Sequence, residues 1–583
     1  MIPCAPSTRP SFARVQMSSS NDVKLEKPIE DAVISDSQIS SESHDHTHRK
    51  LKGRHIQLMA IGGSIGTALF VQIGQALTEG GPASLFVAFS LWATFILAIN
   101  NCLSEMVTWI PVSSPFVRFS DQFVDPALGL CAGVNFFVFE AALVPFEITA
   151  FNVVLQFWTD KIPLVAVIFF VLLCYLALNL WTVKYVGESE FWFASGKVIL
   201  ATGLIIFTFI TMVGGNPIHD AYGFRFWNPA KVQGAPFAEY IYTGTLGRFI
   251  GFLSCLIQAS FTIAGPDMVS IAAGETQTPR LILPRAFKSV FYRLMTFFVI
   301  GSLCVGIVVS YSDPNLLAAL ADARPGAGSS PYVIAMQRLQ IKVLPDIVNA
   351  LILTSIFSAG NSYVYNASRT LYGLALEGKA PAVFKRCNRN GVPFWCVIVT
   401  LGIALLSFLQ VSNSSAVVLQ WFVNLVTASQ LLNYAIICFT YIRFYKALKI
   451  QGISRDSLPH KSFWQPFCAY YGFTGTIVMA FVGGYTVFLP GRWDVPSFFF
   501  SYTMIGVLPI LFTFWKLYRQ TMVKCIDLIL RLITDRPVLK MRKLEDIDFF
   551  ETERLLVDRY EEECAMQKPG DLPCRGIWGL LCT

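Results

Sequence analysis

The chain has 583 residues, of which 54% are hydrophobic, 14% aromatic and only 14% charged, with a mean hydropathy of +0.53. Soluble domains carry about 25% charged residues, so this composition excludes an ordinary soluble globule and places the chain in a lipid bilayer. The formal net charge of +7 comes mostly from Lys and Arg in loops that flank apolar runs, so it does not point to a nucleic-acid partner.

Residues 1–50 are polar, rich in Ser, Asp and Glu and poor in aromatics, which fits a disordered tail. They lack the apolar core of a secretory signal, so the first span is expected to serve as its own insertion signal. The transporter domain is expected over 51–517. Apolar runs of about 20 residues place spans at 56–77, 83–106, 128–157, 163–183, 190–213, 249–273, 290–311, 346–372, 394–411, 416–441, 468–489 and 497–517. The expected fold is therefore an all-α membrane protein with about 12 transmembrane helices. Basic residues concentrate before the first span and in the sixth-to-seventh, eighth-to-ninth and tenth-to-eleventh connections, whereas 78–82 and 412–415 hold neither Lys nor Arg. That asymmetry puts the basic side, and both tails, in the cytoplasm.

Outer loops 214–248, with Arg225-Phe226-Trp227-Asn228-Pro229, and 312–345, with Pro325-Gly326-Ala327-Gly328, are candidate lids. Residues 518–583 form a cytoplasmic C-terminal tail with mixed charge and an amphipathic stretch around Glu545–Glu563, read as a loosely ordered trafficking tail. Fourteen cysteines occur without a CxxC pair or Cys/His ligand spacing, so neither a disulfide framework nor a metal site is expected.

Two spans are interrupted. The first contains Gly62-Gly63-Ser64-Ile65-Gly66-Thr67, and each glycine lowers helix propensity by roughly 1 kcal/mol. The sixth contains Phe261-Thr262-Ile263-Ala264-Gly265-Pro266-Asp267, where Pro266 lacks an amide hydrogen and disrupts the bond to the Thr262 carbonyl. Irregular backbone at membrane depth is tolerated where it lines a cavity or lies buried in protein. A pair of such breaks points to the substrate site of a secondary transporter. The free amides near Ile65 can cradle a carboxylate. A glycine-rich packing face is the structural alternative for the first break taken alone.

Glu140 and Glu147 lie seven residues apart in the third span, on roughly one face. Neither faces lipid cheaply, and an intramembrane acid marks function by default. The structural alternative pairs one of them with Lys197 of the fifth span or with backbone groups. Lys197 either snorkels to the interface or sits buried, where it can exchange a proton. Asp267 orients the second break or contacts substrate, Glu275 reads as a gate salt bridge, and Glu105 as an interfacial partner.

The run Gly62-Gly63-Ser64-Ile65-Gly66-Thr67-Ala68-Leu69-Phe70 resembles the first-span signature of fungal amino-acid permeases in the amino acid–polyamine–organocation superfamily. The likeness continues through Glu105-Met106, Pro145–Ala150, Phe191–Lys197 and Phe261–Glu275, then Pro279-Arg280 and Pro284–Ala286, covering roughly residues 48–520. It implies a 5+5 inverted repeat with discontinuous first and sixth helices and two added spans, and proton-coupled amino-acid uptake at the plasma membrane without a cofactor. By resemblance, the first-span glycines bind carboxylate, carbonyls at both breaks bind the amine, Phe261 gates the site, and Lys197 occupies the place of a sodium ion. Gly62, Gly63, Ser64, Gly66, Thr67, Phe261, Thr262, Gly265, Glu140 and Glu147 are thus candidate substrate residues, with Lys197, Asp267 and Glu275 in coupling and gating.

The chain departs from the pattern at Ala68, at Pro266-Asp267 and in the additional acid Glu140. In the combination of Gly66–Phe70, Pro111–Phe116, Ile257–Gly265 and Gly326–Met336 it is similar to a divergent fungal subgroup associated with carnitine and polyamine uptake and with nutrient-responsive regulation, as well as with amino acids. Two readings follow: an importer of amino acids or related betaines and polyamines, and a sensor of the same fold without appreciable flux. Trafficking and ubiquitylation machinery are the expected partners of the tails. No nucleophile–base pair or phosphate loop argues for an enzyme.

Overall fold

A computed structural model describes residues 53, 56–57, 65–112, 114–159, 161–180, 183–263, 266–322, 330–388, 391–412, 415–530 and 541–549. Gly62, Gly63, Ser64 and Gly265 lie outside these. Among the described residues the regular structure is helical. Among the described residues, nine helices are long and apolar enough to cross a membrane; the first of these, Ala68–Trp109, holds two spans on either side of Gly81, and the shorter apolar helices Leu164–Leu180 and Phe467–Val482 bring the spans to twelve.

The two spans within Ala68–Trp109 meet at Gly81, whose φ of 78° and ψ of 172° lie outside helical space, immediately before Pro82. A side chain at Gly81 would meet the Ala238 nitrogen at 2.7 Å and the Pro236 carbonyl oxygen at 2.8 Å. The outer loop is threaded against this turn, with Ala238 N donating to Gly80 O (3.0 Å) and Ala83 N donating to Pro236 O (3.1 Å).

The third span, Pro126–Leu155, starts where Asp125 caps it by accepting from Ala127 N at 2.8 Å, with Pro126 at the first helical position. It is the central post, packing most extensively on the eighth span, Leu344–Leu376, and the tenth, Ser415–Ile450. The fourth, fifth and twelfth spans lie further out. Phe169, Phe170 and Leu173 are 66%, 61% and 57% exposed, as a lipid-facing surface requires.

At the basic end, Glu105 is fully buried and accepts from Arg455 Nη2 (2.5 Å), Tyr441 OH (2.5 Å) and Ser462 N (2.8 Å). The expected interfacial partner is therefore an anchor for the loop 451–466. The last helix runs Val495–Leu530, beyond the end of its apolar run. Further on, residues 541–549 turn at 545–546 and dock on the bundle; the rest of the amphipathic stretch, from 550, lies outside the described residues.

Replacing Gly81 with Val combines a backbone region open essentially to glycine with two backbone clashes. We expect a loss of about 1–3 kcal/mol, read as a fall of several degrees in the melting temperature of purified protein. Unchanged melting would show that the turn relaxes away from Pro236 and Ala238.

Candidate functional site

The two breaks meet in the middle of the bundle. Ile65 and Gly66 are bends, the helix resumes at Thr67, and a π-helical turn occupies Ala68–Gln72. The sixth span stops at Thr262, passes through extended Ile263 (φ −90°, ψ 97°) and resumes at Pro266, ending in a 3₁₀ turn at Ala272–Glu275. Between them lies a cavity walled by Gly66, Ala68, Phe261 and Thr262 from the broken spans and by Leu143 and Glu147 from the third. Phe139, Phe146, Tyr363, Val426 and Gln430 complete it.

Glu147, 1% exposed, accepts a 2.5 Å hydrogen bond from Thr67 Oγ1. Gly66 is held close by: a Cβ there would meet Glu147 Oε1 and the Ala359 Cβ, each at 3.1 Å. Ser355 of the eighth span donates to the Ile65 carbonyl at 3.3 Å, satisfying one acceptor freed by the break. Phe146 meets Phe261 edge-on, with ring centroids 5.4 Å apart at 84°. The cavity thus joins aromatic walls to one buried acid beside interrupted backbone.

Lys197 does not snorkel. Its side chain is 1% exposed and lies 3.8 Å from Glu190 Oε1, also 1% exposed. Lys197 thus pairs with Glu190, seven residues before it on the same helix face, and its charge also acts on Glu147. Ser358 Oγ lies 2.9 Å from both Glu190 oxygens.

Glu140 sits apart from the cavity lining. It is fully buried, its Oε2 faces Asn366 Nδ2 at 3.4 Å, and its Oε1 has no hydrogen-bond partner among the described residues. The charges of Glu140 and Asp267 act on each other, and Arg293 acts on Asp267. Tyr363 lines the cavity with Glu147, and the charges of both Glu147 and Glu140 act on it.

Toward the basic end, Glu275 accepts from Arg369 Nε at 3.1 Å and from Tyr365 OH at 2.6 Å. The guanidinium lies 4.3 Å from the Tyr365 ring centroid. Glu275, read from the sequence as a salt-bridge residue, thus has Arg369 of the eighth span as its partner. At the opposite end, loop 213–243 is anchored rather than loose. Trp227 Nε1 donates to Gly306 O (3.1 Å), and Tyr311 OH donates to Gln233 O. Arg225, by donating to both Asp220 oxygens, holds that carboxyl below the usual range. In the other candidate lid, Pro325-Gly326-Ala327-Gly328 lies outside the described residues.

Sequence reasoning singled out neither Glu190 nor Phe139, Tyr363 and Gln430. Glu190 falls at the edge of its apolar run, where an acid reads as the border of a span. Gln430, a polar residue inside the apolar tenth span, carried a usable signal.

A profile of the amino acid permease family matches residues 55–526. The chain is 51% identical over 470 residues to the general amino acid permease AGP2 of Saccharomyces cerevisiae, covering 79% of this chain and 77% of that one. It is 40% identical over 482 residues to a proline-specific permease of Emericella nidulans, covering 82% and 87%. With a basic amino-acid permease of Saccharomyces cerevisiae the identity is 37% over 484 residues, covering 82% and 83%. Twelve spans, two broken helices meeting at a buried cavity and these likenesses agree: the chain is a multi-pass membrane protein of the amino acid permease family.

Proposed function

We propose that the protein is a proton-coupled importer of amino acids at the plasma membrane, with its basic end and both tails on the cytoplasmic side. The observation that carries this reading is the meeting of Gly66 and Glu147, the latter held by Thr67, at a cavity that Phe261 and Thr262 of the second break also line. A small zwitterion needs donors for its carboxylate and acceptors for its amine. Backbone amides after Gly66 serve the first, and open carbonyls of the breaks with Glu147 serve the second. The relatives include general, proline-specific and basic amino-acid permeases, which supports the substrate class.

Coupling is assigned to the buried set Glu147, Glu190 and Lys197. Charges out of water persist only when paired and hydrogen-bonded, so moving one proton within this set changes how strongly it holds the first break. The Glu275–Arg369 pair on one side of the cavity and the anchored loop 213–243 on the other supply the closures that alternating access needs. Uptake of a labelled panel (neutral and basic amino acids, carnitine, spermidine) in cells lacking other permeases tests the substrate. Counter-flow in vesicles of purified protein separates a carrier from a sensor, which would bind without flux.

A second substrate class is favoured by the buried Glu140 oxygen that has no hydrogen-bond partner among the described residues. An ammonium group passing Tyr363 would satisfy it, which suits betaines and polyamines.

Three outcomes are expected. Gly66→Leu inserts atoms where Ala359 and Glu147 already stand at 3.1 Å, so uptake should fall at least about tenfold at normal surface expression, about 1.4 kcal/mol or more in transition-state terms. Normal uptake would remove the site from the first break. Inward flux should rise as external pH falls and collapse with a protonophore, while Lys197→Met keeps exchange but loses accumulation. Sodium-dependent uptake indifferent to the proton gradient would overturn the coupling assignment. Glu140→Gln should impair carnitine or spermidine uptake more than neutral amino-acid uptake, whereas Glu147→Gln impairs all. Equal losses in Glu140→Gln would end the case for a cation site.

A further inference from the structure

Residues 541–549 occupy a built site on the basic end of the bundle. Ile547 and Phe549 are 2% and 1% exposed. The Phe549 ring lies against Phe123 (5.9 Å) and Phe444 (5.6 Å), two aromatics that also touch one another. The backbone is read as closely as the side chains. Gln451 Nε2 lies 3.0 Å from Leu544 O and 2.8 Å from Ile547 O, Gln122 Nε2 donates to Asp548 O at 2.7 Å, and Arg443 Nη2 donates to Arg542 O. In turn, Arg542 N donates to Val124 O at 3.2 Å.

This site continues into the gate. Arg443 also donates to Phe123 O at 2.9 Å, so one guanidinium ties the tenth span to the tail and to the end of helix Pro115–Phe123. That helix and its N-cap Ser114 are fastened to the last turns of the eighth span and to the residues that follow it. Ser114 Oγ donates to the Arg369 carbonyl (2.8 Å), Arg118 pairs with Glu377 (2.7 Å), and Asp121 pairs with Lys379. Arg542 of the tail reaches the same Asp121 at 3.8 Å. Arg369 is the residue whose guanidinium closes on Glu275. An unbroken line of contacts therefore runs from Phe549 to the gate, and every link between separate elements is a hydrogen bond, an ion pair or a ring contact.

We propose that residues 541–549 are an intramolecular clamp: docked between helix Pro115–Phe123 and the tenth span, they hold the eighth span, and with it the Glu275–Arg369 pair, in the closed arrangement. Burying two apolar side chains returns only part of the cost of ordering nine residues, so docking depends on the hydrogen bonds and ion pairs as well, and the clamp is releasable. Coupling of this kind is reciprocal: opening the gate must loosen the tail, and anything that captures the free tail must favour opening. The consequence for flux rests on the carrier reading above; the mechanical coupling does not.

Hydrogen exchange of the full-length protein in nanodiscs separates the two. Phe549→Ala and Gln451→Ala each remove part of the dock and lie outside the cavity. Both should speed exchange in 541–549 and also, about fivefold or more, in 114–123 and 365–379. Efflux of preloaded amino acid from vesicles should rise by a similar factor. Faster exchange confined to 541–549 would show a tail that docks without clamping, and unchanged exchange in 541–549 in both variants would show that these contacts do not hold it; either overturns the proposal. If the wild-type protein carries no amino acid, the exchange result still decides the clamp, and the carrier reading alone fails.

Discussion

The interior of a membrane-spanning bundle offers no water to an unpaired polar group, so each one must be satisfied by the protein or by what the protein carries. This constraint organises the molecule. Breaking the first and sixth spans frees backbone groups that cost several kcal/mol each if left bare in hydrocarbon. Ser355 takes up the Ile65 carbonyl, and Thr67 turns its hydroxyl to Glu147. Glu147 in turn lies within the field of Lys197, which pairs with Glu190, itself bonded by Ser358. The acid, the lysine and the broken backbone form one interdependent set, and removing any member exposes the others.

Much of this was legible in the sequence because glycine and proline act on the backbone directly. Gly66 and Pro266 break their spans wherever the rest of the chain folds, and an acid inside an apolar run needs a reason to be there. Glu147, Phe261 and Thr262 were found that way. Partnership was not legible. Lys197 pairs with Glu190 because seven residues bring both to one helix face, yet the acid sits where hydropathy marks the edge of a span. Arg369 was hidden in the polar stretch of the eighth span, and its role appears only when that helix lies beside the end of the sixth.

The tail illustrates a different limit. The sequence marks an amphipathic stretch around Glu545–Glu563 in a loosely ordered tail, but residues 541–549 are held by side chains that grip their backbone carbonyls. Gln451, Gln122 and Arg443 lie about 90 to 430 positions away in sequence and recognise a turn by its main chain, which no residue-type pattern in the tail reports.

The two ends of the bundle are closed by different physics. At the turn between the first two spans, backbone bonds from Ala238 and Ala83 and the close approach at Gly81 fix the outer loop by shape. Such contacts depend on register and on the absence of a side chain, so they make or break as a unit. At the basic end the closures are Glu275 with Arg369, Glu105 with Arg455, and Asp121 with Lys379 and Arg542. Charges of this kind can exchange partners, since a carboxylate released by one cation is stabilised by another or by water. Asp121 already holds two cations from separate parts of the chain. A carrier must open one end while the other stays shut, and here one end is governed by fit and the other by a network of exchangeable charges.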